Sequence, residues 1–214
     1  MSATAARRRT IAVKAVIWVA CLSPVLWLGV SGLADSLGAN PIERITHRTG
    51  WWALFLLTVT LAITPLRRLT GRSGWVRYRR LIGIFAFFYA TLHFLTYLVL
   101  DQFFGWTYIL EDITDRPFIT LGFLAWMILL ALAVTSTRGW IRRLGRNWQR
   151  LHRLSYGAAL AGGLHFLWKV KADTREPLVF LSVIVALLLV RAWGRWRRFR
   201  NGTFRGAGSA LGAG

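Results

Sequence analysis

Cysteine, histidine and acidic residues are scarce in this chain of 214 residues. It has one cysteine, four histidines and eight Asp and Glu residues together. A single cysteine excludes an intramolecular disulfide, a cysteine-ligated iron–sulfur cluster and a CxxCH covalent haem attachment. Because Cys21 lies in an apolar run, we interpret it as a small apolar packing residue.

Basic and apolar residues, by contrast, are abundant. The chain has 28 Lys and Arg residues, a formal net charge of +20, 55% hydrophobic residues and a mean hydropathy of +0.46. This combination is typical of a membrane protein with basic loops. Basic charge can also indicate nucleic-acid binding. However, the charges cluster at the ends of apolar runs and no nucleic-acid-binding motif occurs, so we expect membrane lipid and no nucleic acid as a partner.

Six apolar runs follow one another along the chain. They are residues 11–33, 49–66, 81–100, 118–134, 154–170 and 177–193. About 20 helical residues cross a hydrocarbon core of about 30 Å. The sequence therefore predicts an all-α membrane protein, a six-transmembrane-helix bundle. The second, fourth and sixth runs are short, and we expect bilayer thinning or snorkelling of flanking Arg and Trp side chains to accommodate them.

The distribution of charge predicts the orientation of this bundle. Most Lys and Arg residues precede the first run or follow the second, fourth and sixth, whereas all eight acidic residues lie in the other segments. Positively charged loops stay in the cytoplasm, so both termini are predicted to be cytoplasmic. We expect a basic cytoplasmic N-terminus (1–10), the membrane domain (11–200) and a flexible cytoplasmic tail (201–214), with no soluble catalytic domain attached.

The first run follows three arginines and resembles a signal peptide, with a candidate cleavage site at residues 32–34. It is longer than the usual apolar region of about 7–15 residues, so we expect an uncleaved anchor helix. No run repeats another at a fixed period, and the sequence gives no sign of a solenoid or an inverted repeat.

His93 and His165 occupy matching positions in the third and fifth runs. These runs cross in the same direction, and the two histidines lie about 18 Å and 16 Å from the cytoplasmic end. Ionisable residues inside a membrane face the bundle interior and are candidates for function. Two neutral imidazoles on different helices suit the axial ligation of one haem. The alternative is a pair of structural histidines, each hydrogen-bonded to a neighbouring helix.

Other metal centres fit this level of the membrane poorly. No carboxylate lies at the depth of the two histidines, which argues against a di-iron site. Too few further oxygen or sulfur ligands are present for zinc or calcium. Haem is therefore the metal cofactor that the histidine pair favours.

His152 and Arg79 lie at the predicted cytoplasmic ends of the same two runs. Arg79 precedes His93 by fourteen residues, which places both on one helix face. His152 precedes His165 by thirteen residues, which does not align them on an ideal helix. A second haem at this level would have only one histidine, and the alternative is an interfacial histidine. His47 is predicted to lie in a loop on the opposite side.

Five motifs together resemble those of one family. They are NPIERITHRTGWWAL at 40–54, TPLRRLTG at 64–71, YRRLIGIFAFFYATLHFLTY at 78–97, TSTRGWIRRLGRNWQRLHRLSY at 135–156 and LHFLWKVK at 164–171. With these motifs the chain resembles the MsrQ family, the haem-binding membrane subunits of bacterial periplasmic methionine sulfoxide reductase systems. That family lies within the wider ferric-reductase-like transmembrane group.

The resemblance implies a multi-pass protein of the bacterial inner membrane that binds haem b and passes electrons outward. The donor would be the quinol pool or a cytosolic flavin reductase acting through FMN. The recipient would be a periplasmic molybdenum-cofactor enzyme, MsrP, which reduces methionine sulfoxide in oxidised proteins. The chain would then be an electron-transfer subunit and not the catalytic subunit.

The resemblance also assigns residues to these roles. His93 and His165 match the family's haem-ligand positions, and His152 matches its other histidine. In the related NADPH oxidases the position of Arg79 is a histidine that serves a second haem, so a second haem stays open here. Arg79, Arg80 and His152 then form a candidate site for the phosphate of FMN or for a quinol head group. Alternatively, the arginines only orient the protein and bind anionic lipid.

Two further functions stay open alongside electron transfer to a partner enzyme. One is a transmembrane ferric or other metal reductase, which would reduce soluble metal without a protein partner. The other is a non-redox membrane scaffold or transporter with structural histidines. A reduced b-type haem spectrum of the purified protein would separate the redox functions from the non-redox one.

Overall fold

The computed structural model describes residues 3–210, with side chains described for residues 4–197 and 200. Its helices are α1 (Ala3–Leu33), α2 (Pro41–Thr70), α3 (Arg79–Leu95), α4 (Trp106–Asp115), α5 (Pro117–Val134), α6 (Arg138–Leu144), α7 (Arg146–Leu151), α8 (Leu154–Lys169) and α9 (Arg175–Ala210). A 3₁₀ turn at Ser73–Tyr78 precedes α3, and a π-helical turn at Thr96–Asp101 follows it.

Every predicted apolar run is helical, which confirms an all-α membrane fold. Five helical segments in the described part of the chain are long and apolar enough to cross a membrane: Thr4–Leu33, Pro41–Thr70, Ser73–Asp101, Pro117–Val134 and Arg175–Arg197. The fifth predicted run corresponds to α8, which has 16 residues and is about 24 Å long. Six spans and the orientation of the termini therefore stay predictions.

The ends of the chain differ in extent from the predicted division. The first helix begins at Ala3, so most of the predicted basic N-terminus is helical. The last helix continues to Ala210, through most of the segment assigned to a flexible tail. Residues 211–214 lie outside the described part of the chain.

Capping residues explain why α2 begins earlier than its apolar run. The side chain of Asn40 accepts a hydrogen bond from the backbone N–H of Glu43 at 3.1 Å, and Pro41 occupies the first turn. Both features favour a helix start at this point. His47 consequently lies on a helix, and its predicted position in a loop was wrong. At the other end, Gly71 adopts the left-handed conformation (φ 68°) that commonly ends a helix.

Two helix pairs, α2 with α3 and α5 with α8, make the most extensive contacts in the described structure. Helix α8 buries small residues, among them Ala158, Ala159 and Gly163, and Gly163 lies close to Leu181 and Ile184 of α9. Helix α9 closes the bundle against α8 and α2, whereas α1 has far fewer contacts. The histidine-bearing helices α3 and α8 are therefore both central to the bundle.

Helix α1 lies at the edge of the bundle and exposes much of its apolar surface. Val16, Val19 and Leu26 are between 64% and 69% exposed, as expected for side chains that face hydrocarbon. The Tyr89 hydroxyl attaches α1 to α3 by donating to the Cys21 carbonyl at 2.7 Å. Cys21 itself is buried and unpaired, which confirms its interpretation as a packing residue.

Candidate functional site

His93 on α3 and His165 on α8 face each other across the bundle. Their ring centroids lie 6.0 Å apart, with the ring planes at 79°. Metal–imidazole bonds are about 2 Å long, so two imidazoles on one metal have centroids about 6 Å apart. The separation of the two rings therefore fits two imidazoles that would hold one metal centre between them.

A backbone carbonyl fixes each of these imidazoles from behind. Nδ1 of His93 donates to the Thr46 carbonyl oxygen at 2.8 Å, and Nδ1 of His165 donates to the Phe118 carbonyl oxygen at 2.6 Å. A carbonyl oxygen only accepts, so the proton of each neutral ring resides on Nδ1 and Nε2 keeps its lone pair. This is the tautomer that ligates a metal, and such a second hydrogen bond also sets the ring orientation.

A glycine makes room for each imidazole. A Cβ atom at Gly50 on α2 would lie 3.0 Å from Nδ1 of His93, and one at Gly122 on α5 would lie 2.8 Å from Nδ1 of His165. Distances this short require the ring to move, so any larger residue at either position would push its histidine away from the carbonyl. The two glycines are thus part of the candidate site.

These contacts form a two-fold internal repeat. His93 follows Thr46, and His165 follows Phe118, by the same 47 residues. In each half the glycine is one helical turn after the carbonyl residue, and the tetrapeptide LHFL surrounds the histidine at 92–95 and at 164–167. The expectation that no span repeats another was therefore wrong. The repeated LHFL and the common spacing from arginine to glycine (Arg44 to Gly50 and Arg116 to Gly122) are the signals that would have revealed it.

Aromatic residues and an unusual helical turn surround the histidine pair. Phe94 stacks on Trp126 at 4.5 Å between ring centroids, and the Trp126 indole N–H donates to Thr91. The π-helical turn begins three residues after His93, and such turns occur frequently at functional sites. On the other side, His47 is exposed and packs edge-on against Phe166 at 5.6 Å, so it does not join the pair.

His152 lies at the end of α7, where other groups occupy both sides of its ring. Its Nδ1 donates to the Trp148 carbonyl at 3.1 Å, its Nε2 is 3.4 Å from the Ser136 hydroxyl, and the ring stacks on Trp148. Burial lowers the pKa of His152, the bond to the Trp148 carbonyl partly offsets this, and nearby Arg79 lowers the pKa further. His152 is thus a neutral, anchored residue at neutral pH, with no second histidine opposite it among the described residues.

The predicted inner-site residues differ in how closely they approach His152. Arg79 is half-buried and near enough to His152 to interact with it electrostatically, whereas Arg80 is exposed. Arg191 on α9 also belongs to this end, although the sequence patterns did not single it out. An arginine inside the sixth apolar run is the signal that would have found it.

Acidic residues lie at the opposite end of the bundle, around α4. Asp112 is held internally: it accepts from Tyr97 and Gln102 and forms an ion pair with Arg116 at 3.1 Å. Asp101, Glu111 and Asp115 are exposed. The exposed carboxylates are available for a partner surface, whereas Asp112 mainly attaches α4 to the rest of the bundle.

Comparison with known proteins identifies the family. Residues 49–163 match the family described as "Ferric reductase like transmembrane component". The protein-methionine-sulfoxide reductase heme-binding subunit MsrQ of Xanthomonas axonopodis pv. citri (strain 306) is 52% identical over 190 residues, covering 86% of this chain and 87% of that protein. The chain belongs to the MsrQ family. The MsrQ of Caulobacter vibrioides (strain ATCC 19089 / CIP 103742 / CB 15) is 49% identical over 179 residues, covering 83% of this chain and 85% of that protein.

The membership in the MsrQ family confirms the resemblance found in the five motifs. The region matched by the ferric-reductase-like family contains Gly50, His93, Gly122 and His152, and it ends two residues before His165. The matched region therefore covers most of the assembled site, without Thr46 and His165, and a multi-pass membrane fold follows from both the family and the apolar helices.

Proposed function

We propose that this protein is the haem-binding membrane subunit of a methionine sulfoxide reductase system in the bacterial inner membrane. The observation that carries the proposal is the facing pair of His93 and His165, each held by a backbone carbonyl and a glycine. The MsrQ relatives, which are named heme-binding subunits, support it. The protein's role is electron transfer, and the catalytic step on methionine sulfoxide belongs to a separate enzyme.

The residues of the His93–His165 site fit a haem, which the two imidazoles would hold. Two neutral rings with free Nε2 atoms are the donor set that such a haem requires. A bound haem b would supply one-electron redox chemistry at this site. The protein contributes fixed ring orientation through the Thr46 and Phe118 carbonyls and close helix approach through the two glycines.

One haem at the outer pair is the stoichiometry we propose. A second haem at the inner level would need Nε2 of His152 to give up its contact with Ser136, and it would still lack a second histidine. The inner end is better suited to an anionic or polar electron donor. Arg79, Arg80 and His152 would receive FMN from a cytosolic flavin reductase, or the head group of a quinol, because arginine binds phosphate and carbonyl oxygens well.

The opposite end would deliver electrons to the periplasmic molybdenum-cofactor enzyme MsrP. Exposed Asp101, Glu111 and Asp115 provide negative charge at that end, and complementary charge on the partner would guide docking. The basic inner end and the acidic outer end thus give the electron path a direction.

Reconstitution in liposomes tests this function. Protein purified from haem-replete cells should show a reduced b-type haem spectrum with one haem per chain, and reduced protein should pass electrons to MsrP. A colourless preparation would overturn the proposal. Rapid reduction of soluble ferric iron, with no transfer to MsrP, would instead favour a metal reductase, the activity after which the wider family is described.

A further inference from the structure

Arg191 is a buried cation inside a membrane-crossing helix. It lies in the candidate span Arg175–Arg197, and only 4% of the residue is exposed. One guanidinium N–H donates to the Tyr156 hydroxyl at 2.7 Å, and another donates to the Leu61 carbonyl at 2.5 Å. The guanidinium also lies over the Tyr156 ring, 5.0 Å from its centroid. Three helices therefore meet at this side chain.

The contact with Leu61 has a specific cause in the sequence. Pro65 is four residues after Leu61 within α2, and proline has no N–H to donate to the carbonyl one turn earlier. A carbonyl freed inside a membrane needs another donor, and Arg191 supplies it. This contact uses one of the five N–H groups of the side chain and leaves the positive charge unneutralised.

The remaining groups around Arg191 add to the charge instead of neutralising it. Its Nε is buried without a hydrogen-bond partner. Arg79 and Arg68 are near enough to act on it electrostatically, and Arg68 packs against Gly194, where a Cβ atom would collide with it. The ion pair between Arg116 and Asp112 lies around α4, away from this cluster. A buried charge without a counter-ion is strongly unfavourable.

We propose that Arg191, Arg79 and Arg68 form a binding site for a phosphate group at the inner end of the bundle. Three guanidinium groups without a carboxylate require an anion with several oxygens and more than one acceptor direction, which phosphate provides. Arg68 is exposed and Arg79 is half-buried, so an anion that approaches this end of the bundle would meet these two arginines before the buried Arg191. Both a phospholipid head group and a soluble phosphate carry this chemistry. The site shares Arg79 with the proposed electron-donor site but requires neither haem nor flavin.

Binding to the delipidated full-length protein tests this site. Inorganic phosphate is titrated calorimetrically, and retention of phosphatidylglycerol is followed by native mass spectrometry. Arg191→Gln removes the charge together with the terminal N–H groups that contact Tyr156 and Leu61, and it should weaken binding at least about tenfold. The matched control Arg195→Gln, at an exposed position one turn further along α9, should change binding by less than about twofold.

Each outcome decides the proposal or the source of the phosphate. Retention of phosphatidylglycerol alone identifies lipid as the ligand, and binding of inorganic phosphate identifies a soluble one. Undiminished binding by folded Arg191→Gln, or no binding of either ligand by the wild type, overturns the proposal and leaves Arg191 as a cap for Leu61. Should Arg191→Gln not fold, Arg79→Gln keeps both contacts of Arg191, and unchanged affinity in that variant overturns the proposal as well.

The haem-to-protein ratio of the same samples separates this proposal from the proposed function. A colourless protein that binds phosphate contradicts only the electron-transfer function. A haem-loaded protein without anion binding contradicts only the phosphate site.

Discussion

The α2–α3 pair and the α5–α8 pair have the same arrangement at one end and different arrangements at the other. At the outer end each pair joins a histidine, a carbonyl and a glycine at identical sequence separations. At the inner end, α3 of the first pair begins with Arg79. In the second pair, His152 lies just before α8, and Trp148 and Ser136 anchor its ring. The comparison teaches that, among the described residues, only the outer level offers two equivalent imidazoles, whereas the inner level is asymmetric and cationic.

Removing the imidazole of either His93 or His165 should have the largest effect on haem binding. His93→Ala and His165→Ala should each lose most of the haem, because a single remaining imidazole cannot hold the iron from both sides. The haem-to-protein ratio and the reduced spectrum measure the loss. His47→Ala and His152→Ala serve as matched controls and should keep the haem. Normal loading in both the His93 and His165 variants would show that the ligand assignment is wrong.

Adding a methyl group behind each imidazole should reveal a graded effect. Gly122→Ala brings the new Cβ to 2.8 and 2.9 Å from two ring atoms of His165, whereas Gly50→Ala brings it to 3.0 and 3.1 Å from His93. We expect about tenfold weaker haem binding for Gly122→Ala and a smaller loss for Gly50→Ala, measured by haem titration of the apoprotein. Gly157→Ala on α8 is the control, since its Cβ meets nothing within 4 Å. Equal affinities in all three variants would refute the role of the glycines.

Arg79→Gln should impair electron entry at the inner end without affecting haem binding at the outer end. The variant should keep its haem but slow haem reduction by the cytosolic donor several-fold, because charge-assisted contacts to the donor are lost. Stopped-flow spectroscopy follows this rate. Arg80→Gln should have a smaller effect, since Arg80 is exposed and Arg79 is half-buried. Unchanged reduction kinetics in Arg79→Gln would remove Arg79 from the electron-entry site.

Acidification should destabilise the protein through His152 at the inner end of the bundle. The folded state lowers the pKa of His152, chiefly by burial, whereas in the unfolded chain a histidine titrates near about 6.5. The unfolded state therefore binds the proton first as pH falls, and His152 contributes a loss of stability below about pH 6.5. The melting temperature of His152→Gln should fall less than that of the wild type between about pH 7.5 and pH 5. Parallel pH profiles for the two proteins would contradict this expectation.

Much of the fold and part of the site could be predicted from linear patterns. Apolar runs of sufficient length predict helices because each residue of a membrane segment must satisfy its own backbone polar groups. The depths of His93 and His165 followed from counting helical residues along two such runs. The start of α2 could not be predicted from hydropathy. Asn40 and Pro41 extend α2 beyond its apolar run, and His47 therefore lies on a helix.

The sequence by itself determined the helical membrane fold and the family, and it predicted that the two histidines lie at matching depth, since hydropathy, motifs and helical rise are properties of the chain read in order. Only the tertiary structure decided that the Thr46 and Phe118 carbonyls orient these rings, that Gly50 and Gly122 make room for them, and that Arg191 meets the carbonyl freed by Pro65. These contacts join residues at least 43 positions apart. They depend on which faces of two helices pack together, and no periodicity within a single helix specifies that choice.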